Sequence, residues 1–93
     1  MITVRTEYHS HFKEITGLSG DTFELDQPLV SELAKKITDK YGDKMLGLLI
    51  DPNTNDLNAN GTMYVDSKGR RIFIDDTLED GETIAFLVGV AGG

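Results

Sequence analysis

The sequence predicts an α+β fold: a mixed sheet with one main helix packed on one of its faces. Two patterns carry that expectation. Near each end of the chain, apolar and polar residues alternate, as in Ile2, Val4, Thr6 and Tyr8 against Thr3, Arg5 and Glu7. A period of two is the signature of a strand with one buried face. Between the ends, Val30, Leu33, Ala34, Ile37 and Tyr41 recur at helical spacing, so one stripe of a helix faces a core. At 93 residues, 39% hydrophobic and 27% charged, the chain suits one compact domain with one modest core.

The first strand runs from Ile2 to Tyr8. His9-Ser10-His11 and Phe12-Lys13-Glu14-Ile15-Thr16-Gly17 follow as a loop or a short helical turn, stopped by Gly17 and Gly20. Thr22 to Leu25 is a second strand, paired with the first like a hairpin. Pro28 is placed at the start of the main helix, because its missing N–H has no partner there; Asp26 or Gln27 is then the expected cap. The helix is expected over 28–41, with Gly42 as its left-handed stop. Residues 43–50 fit either a short strand or another helical turn. Asp51 to Gly61 reads as a polar loop, Met63 to Asp66 as a strand, and Arg71 to Ile74 as a further extended piece. Leu78-Glu79-Asp80-Gly81 turns the chain into a last strand, Thr83 to Val88. A crossover helix between strand pairs lets the last strand lie parallel to the first. That arrangement is the β-grasp, or ubiquitin-like, fold, here a domain over 1–88 with a flexible tail over 89–93.

Composition narrows the function. Nine Lys and Arg against 16 Asp and Glu give a net charge of −7. Binding to a nucleic-acid backbone relies on clustered Lys and Arg, and here the basic residues are scattered, so no nucleic-acid partner is expected. An acidic surface suits solubility and docking onto a basic protein partner. No apolar run approaches a membrane span, and the start of the chain lacks the basic-then-apolar order of a signal peptide, so the expectation is a cytoplasmic protein with no membrane partner. With no cysteine, thiolate metal sites and cysteine nucleophiles are excluded.

Other candidate motifs are weak. His9 and His11 have no third ligand near in sequence, so no metal site is expected. The stretch Asp51-Pro52-Asn53-Thr54-Asn55-Asp56 begins like a calcium loop, but Asp56 stands where the pattern needs Gly and Thr62 where it needs Glu. Asp75-Asp76 and Glu79-Asp80 pair carboxylates in what read as surface turns, without the cleft that acid–base catalysis requires.

The end of the sequence is more informative. Gly92-Gly93 follow closely on an apolar strand, and Val90 is the largest side chain after Val88. Without Cβ atoms, such a segment can thread a channel too narrow for side chains. Five extended residues reach about 17 Å. A carboxylate on Gly93 could therefore enter another protein's active site and attack the α-phosphate of ATP. Ala85 and Leu87 would face outward on the last strand, and Leu87 and Val88 would lie beside the tail as an apolar anchor for that partner.

The stretch Leu78-Glu79-Asp80-Gly81-Glu82-Thr83-Ile84-Ala85-Phe86, ending in Val90-Ala91-Gly92-Gly93, resembles the MoaD/ThiS family of ubiquitin-like sulfur carriers. Ile2-Thr3-Val4, the Phe12-to-Gly17 piece and the helix after Pro28 fit the same family, and the Phe12-to-Gly17 piece is particularly like MoaD. The resemblance implies that an activating enzyme adenylates Gly93 and that sulfur then replaces an oxygen to give a thiocarboxylate. Gly92 would share in the reactive end, and Leu87, Val88, Gly89, Val90 and Ala91 in partner binding. The implied partners are an adenylating, ubiquitin-activating-like enzyme and the larger molybdopterin synthase subunit or another sulfur acceptor. ATP would be used by the activating partner, with no cofactor held by the domain itself. Molybdopterin synthesis is the branch the resemblance favours; thiamin, cysteine or tRNA thiolation and protein modification through Gly93 are the alternatives.

Overall fold

The computed structural model describes residues 1–59 and 61–88. The tail expected over 89–93 lies outside the described residues. The elements are β1 (Ile2–Tyr8), α1 (His11–Thr16), β2 (Gly20–Leu25), α2 (Val30–Tyr41), α3 (Asp43–Leu49), β3 (Thr62–Val65) and β4 (Thr83–Val88). The four strands form one sheet in the order β2-β1-β4-β3. β1 pairs antiparallel with β2 and parallel with β4, and β4 pairs antiparallel with β3. The two central strands therefore run side by side in one direction, joined through the crossover that contains α2. This is the α+β, β-grasp arrangement expected from the element order.

Alternation fixes which face is buried. Val4, Thr6 and Tyr8 of β1, Phe23 and Leu25 of β2, Tyr64 of β3 and Ile84 and Phe86 of β4 all turn inward. Val30, Leu33, Ala34 and Ile37 of α2 cover them, with Phe12 of α1 and Met45 and Leu49 of α3 closing the same core. Phe86 sits at its aromatic centre, with ring centroids 5.5 Å from Tyr8, 5.1 Å from Phe12 and 5.2 Å from Tyr64, all edge-to-face. Edge-to-face packing places the positive rim of one ring on the negative face of the next.

Several boundaries differ from the sequence expectation. α2 starts at Val30, and Leu29 is its N-cap in an extended conformation, with no side-chain cap. Pro28 lies in the extended lead-in, its carbonyl accepting the Leu78 N–H at 2.8 Å. Val30 N–H donates to Asp76 O at 3.0 Å, and Leu29 bridges Thr77. The chain crossing in front of the helix thus does the capping that Asp26 or Gln27 was expected to do. Gly42 does have positive φ, but its ψ of −161° turns the chain straight into α3 instead of making a left-handed stop. Residues 43–49 are helical, which resolves the ambiguous apolar run. Arg71 to Ile74 form no strand; Arg71 makes an isolated bridge to Val65, and Ile72 donates its N–H to Tyr64 O at 2.8 Å.

Candidate functional site

Because β1 and β4 are parallel, the His9-Ser10-His11 turn and the C-terminal end of β4 lie at the same end of the sheet. β3 begins at that end too, since Thr62 pairs with Val88 and Met63 with Leu87. Residues 89–93 follow immediately from this edge. Ile84 and Phe86 are inward, so Leu87 falls on the outer face and is 37% exposed. Its register partner Met63 is 44% exposed on the same face. The sheet therefore presents two adjacent apolar side chains where β4 ends, held from behind by the buried residues between them in sequence. Of the predicted site residues, Leu87 is placed in this way and Val88 closes β4 opposite Thr62. Gly89, Val90, Ala91, Gly92 and Gly93 lie outside the described residues. Met63 is the contributor that sequence reasoning missed; its alternation with Tyr64 was available as a signal, but its register with Leu87 was not.

The turn beside this edge is polar. His9 Nε2 stands 3.6 Å from Glu7 Oε1, and His11 Nδ1 stands 3.5 Å from Glu14 Oε2. Ser10 between them has φ of 51°, an unusual conformation for a residue with a Cβ. Among the described residues, no group of three His, Cys, Asp or Glu side chains could hold a metal ion. Nor is any helix of the described residues long and apolar enough to cross a membrane.

One member of each carboxylate pair, Asp76 and Asp80, accepts a backbone N–H, as does Glu82 nearby. Asp80 Oδ1 accepts Thr3 N–H at 2.8 Å, Asp76 Oδ2 accepts Phe73 N–H at 2.7 Å, and Glu82 Oε2 accepts Glu79 N–H at 2.9 Å. The Asp51–Asp56 loop closes on itself in the same manner, with Asp51 Oδ1 accepting Asn53 N–H at 2.9 Å. Asp56 Oδ1 reaches across to Ile74 N–H at 2.8 Å. The Asp51, Asp76 and Glu82 contacts build local turns, whereas Asp56 and Asp80 tie together segments distant in sequence.

Two carboxylates carry a perturbed charge. At Asp66, N–H donors from Arg70 and Lys68 and the Arg70 guanidinium hold the carboxyl below the usual range, against the opposing cost of its burial. At Asp21, burial also opposes ionisation, yet Lys40 Nζ at 2.7 Å, Tyr41 OH at 2.6 Å and Thr22 N–H at 2.9 Å outweigh it and keep the carboxyl low. Burial and the hydrogen bond to Asp21 push the Tyr41 phenol up to about 12. Both clusters fasten loops or helix ends; neither faces the end of β4.

No known family model matches the chain, and no curated protein does either. Solved structures do. A Pyrococcus furiosus protein designated molybdopterin converting factor, subunit 1, superposes with a TM-score of 0.74 at 18% identity, over 97% of this chain and 100% of that one. SAMP1 from Haloferax volcanii superposes with a TM-score of 0.77 at 13% identity, over 98% and 99%. A chain from the Amycolatopsis orientalis BexX/CysO complex gives 0.71 at 17% identity, over 97% and 99%. This chain is therefore similar to those three along nearly its whole length and has the same β-grasp fold.

Proposed function

We propose that this protein is a sulfur carrier that works through the carboxylate of Gly93. In this reading an adenylating enzyme binds the domain and draws residues 89–93 into its nucleotide site. A Gly93 carboxylate oxygen attacks the α-phosphorus of ATP, and the bond to the bridging oxygen breaks as pyrophosphate leaves. A hydrosulfide-equivalent nucleophile supplied by the partner then adds to the acyl carbon. AMP departs with the anhydride oxygen, and loss of the S–H proton leaves a thiocarboxylate. The domain contributes no catalytic group to these steps and holds no cofactor; it presents the reacting end and the surface that positions it. The acceptor we favour is a pterin precursor on a larger molybdopterin synthase subunit, in the cytoplasm.

The observation that carries the proposal is the placement of Gly92-Gly93 five residues or fewer beyond a core strand of a β-grasp domain. The resemblance of Leu78 to Phe86 and of Val90 to Gly93 to the sulfur-carrier family supports it. So does the designation of one structurally similar protein as a molybdopterin converting factor subunit. A second reading, attachment of Gly93 to lysines of target proteins, is favoured by the equally good superposition on a chain titled an archaeal modifier protein. Both readings share the adenylation step.

The test is ATP–pyrophosphate exchange with the ubiquitin-activating-like enzyme of the same cell. Exchange that depends on this chain, and that disappears when one residue is added after Gly93, is the expected result. Exchange that persists with the extended chain overturns the role of Gly93.

A further inference from the structure

Helix α3 has apolar residues on two sides. Met45 and Leu49 face the core and are fully covered, with Leu48 half-buried beside them. Helical spacing puts Asp43, Leu46, Gly47 and Ile50 on a second stripe, turned away from the first. Together with Pro52 and Asn55 of the following loop, these four line a groove of about 410 Å³. Leu46 remains 46% exposed in its wall. A surface helix ordinarily has one apolar side and one wet side. The wet side of α3 is largely apolar.

Gly47 opens the groove further. It lies within α3 without a positive φ, and a Cβ built on it would meet nothing within 4 Å. No turn and no close approach therefore calls for glycine there, although glycine is among the poorest helix formers. A local rule broken without structural return points to what the bare position leaves free, and here that is space in the groove.

We propose that this groove docks a segment of a partner protein that carries a bulky apolar side chain next to a lysine or arginine. The inference goes beyond the function proposed above and does not depend on it, because the groove uses neither the outer face of the sheet nor residues 89–93. Two features select the occupant. The groove is open to solvent along one side, so a free small molecule would stay partly wet. A side chain held on a partner's backbone arrives already positioned and covers Leu46, Ile50 and Pro52. The second feature is charge. Asp43 is the one charged residue among those lining the groove, and Lys44 is turned about 100° round the helix from it. Asp51 stands next to Pro52 in sequence, and the whole chain carries −7. The complement is basic, whereas a second copy of this chain would bring like charge.

The test is an amide NMR titration of the full chain with three short peptides. The first is acetyl-Arg-Trp-Leu-Arg-amide. The second replaces both Arg by Glu, and the third replaces Trp and Leu by Ala. The first is expected to shift the amides of Leu46, Gly47, Ile50 and Asn55, with half-saturation at about 1 mM or below. The other two are expected to bind at least about tenfold more weakly. Gly47→Phe, which fills the groove, and Leu46→Asp, which removes its apolar wall, are each expected to weaken the first peptide at least about tenfold. Gly47→Ala is expected to raise the urea midpoint.

Shifts that are absent from these four residues, that the Glu or Ala peptide produces equally, or that survive both groove variants overturn the proposal. So does a lowered midpoint in Gly47→Ala, since it gives the glycine a structural reason. The same amides moving with protein concentration alone assign the groove to a second copy, and indole alone binding as tightly as the first peptide assigns it to a small apolar ligand. Either result overturns the partner segment.

Discussion

Gly20 stands so close to Thr6 that a Cβ at Gly20 would lie 2.6 Å from the Thr6 carbonyl oxygen. The neighbour is backbone in a central strand, so it cannot swing aside. A glycine in a strand often marks such an approach of one chain to another. Gly20→Ala is therefore expected to lower stability by about 1–3 kcal/mol, the range for forced overpacking. Urea unfolding followed by circular dichroism reads this as a lower midpoint; an unchanged midpoint would show that β2 shifts without cost.

Phe86 binds the core together. Removing its ring leaves Tyr8, Phe12 and Tyr64 without their common neighbour. Phe86→Ala is expected to cost about 3–5 kcal/mol. Domains of this kind have only about 5–15 kcal/mol in total, so the variant should be partly unfolded at modest denaturant. A cost below about 1 kcal/mol would contradict the packing described.

Stability should fall in acid, with Asp66 as a main contributor. Its folded-state carboxyl is held below the ordinary value. The stabilisation it provides is present above the unfolded value, near pH 3.9, and is lost as pH falls through the lower folded value. Asp66→Asn is expected to be less stable than wild type at neutral pH, with the gap closing as pH drops through that window. Parallel stability curves for the two proteins would refute it. Asp21 acts in the same direction, clamping the end of α2 to β2 through Lys40 and Tyr41.

Leu87→Asp adds a charge at a position that is 37% exposed and outside the core cluster. Its unfolding midpoint should match wild type. Its KM in the exchange assay should rise about tenfold or more, as for an interface anchor. Normal KM would remove Leu87 from the partner surface.

Much of the architecture was readable in the sequence because it is written as periodicity. The alternation from Ile2 to Tyr8 and the stripe from Val30 to Tyr41 each state which side is buried, and the structure agrees from Val4 to Tyr8 and at Val30, Leu33, Ala34 and Ile37, while Ile2, Thr3 and Tyr41 are half-buried. What was not readable depends on contacts between distant segments. Pro28 looked like a helical first residue, yet Leu78 and Thr77, some 50 residues away, hold it and Leu29 extended. Gly20 looked like a stop, and only the pairing of β1 with β2 reveals the steric demand on it. The run from Asp43 to Ile50 has no decisive period, so its helical form follows from packing of Met45 and Leu49. At the candidate site, Leu87 was visible from alternation within one strand, whereas Met63 becomes its neighbour only through register.

The most direct measurement is the intact mass of the protein purified from its own cells. The account predicts a fraction of chains ending at Gly93 that carry one oxygen replaced by sulfur, with the change located at Gly93 by fragmentation. Chains that bear only an ordinary carboxylate there, or that continue beyond Gly93, in cells actively transferring sulfur would contradict it.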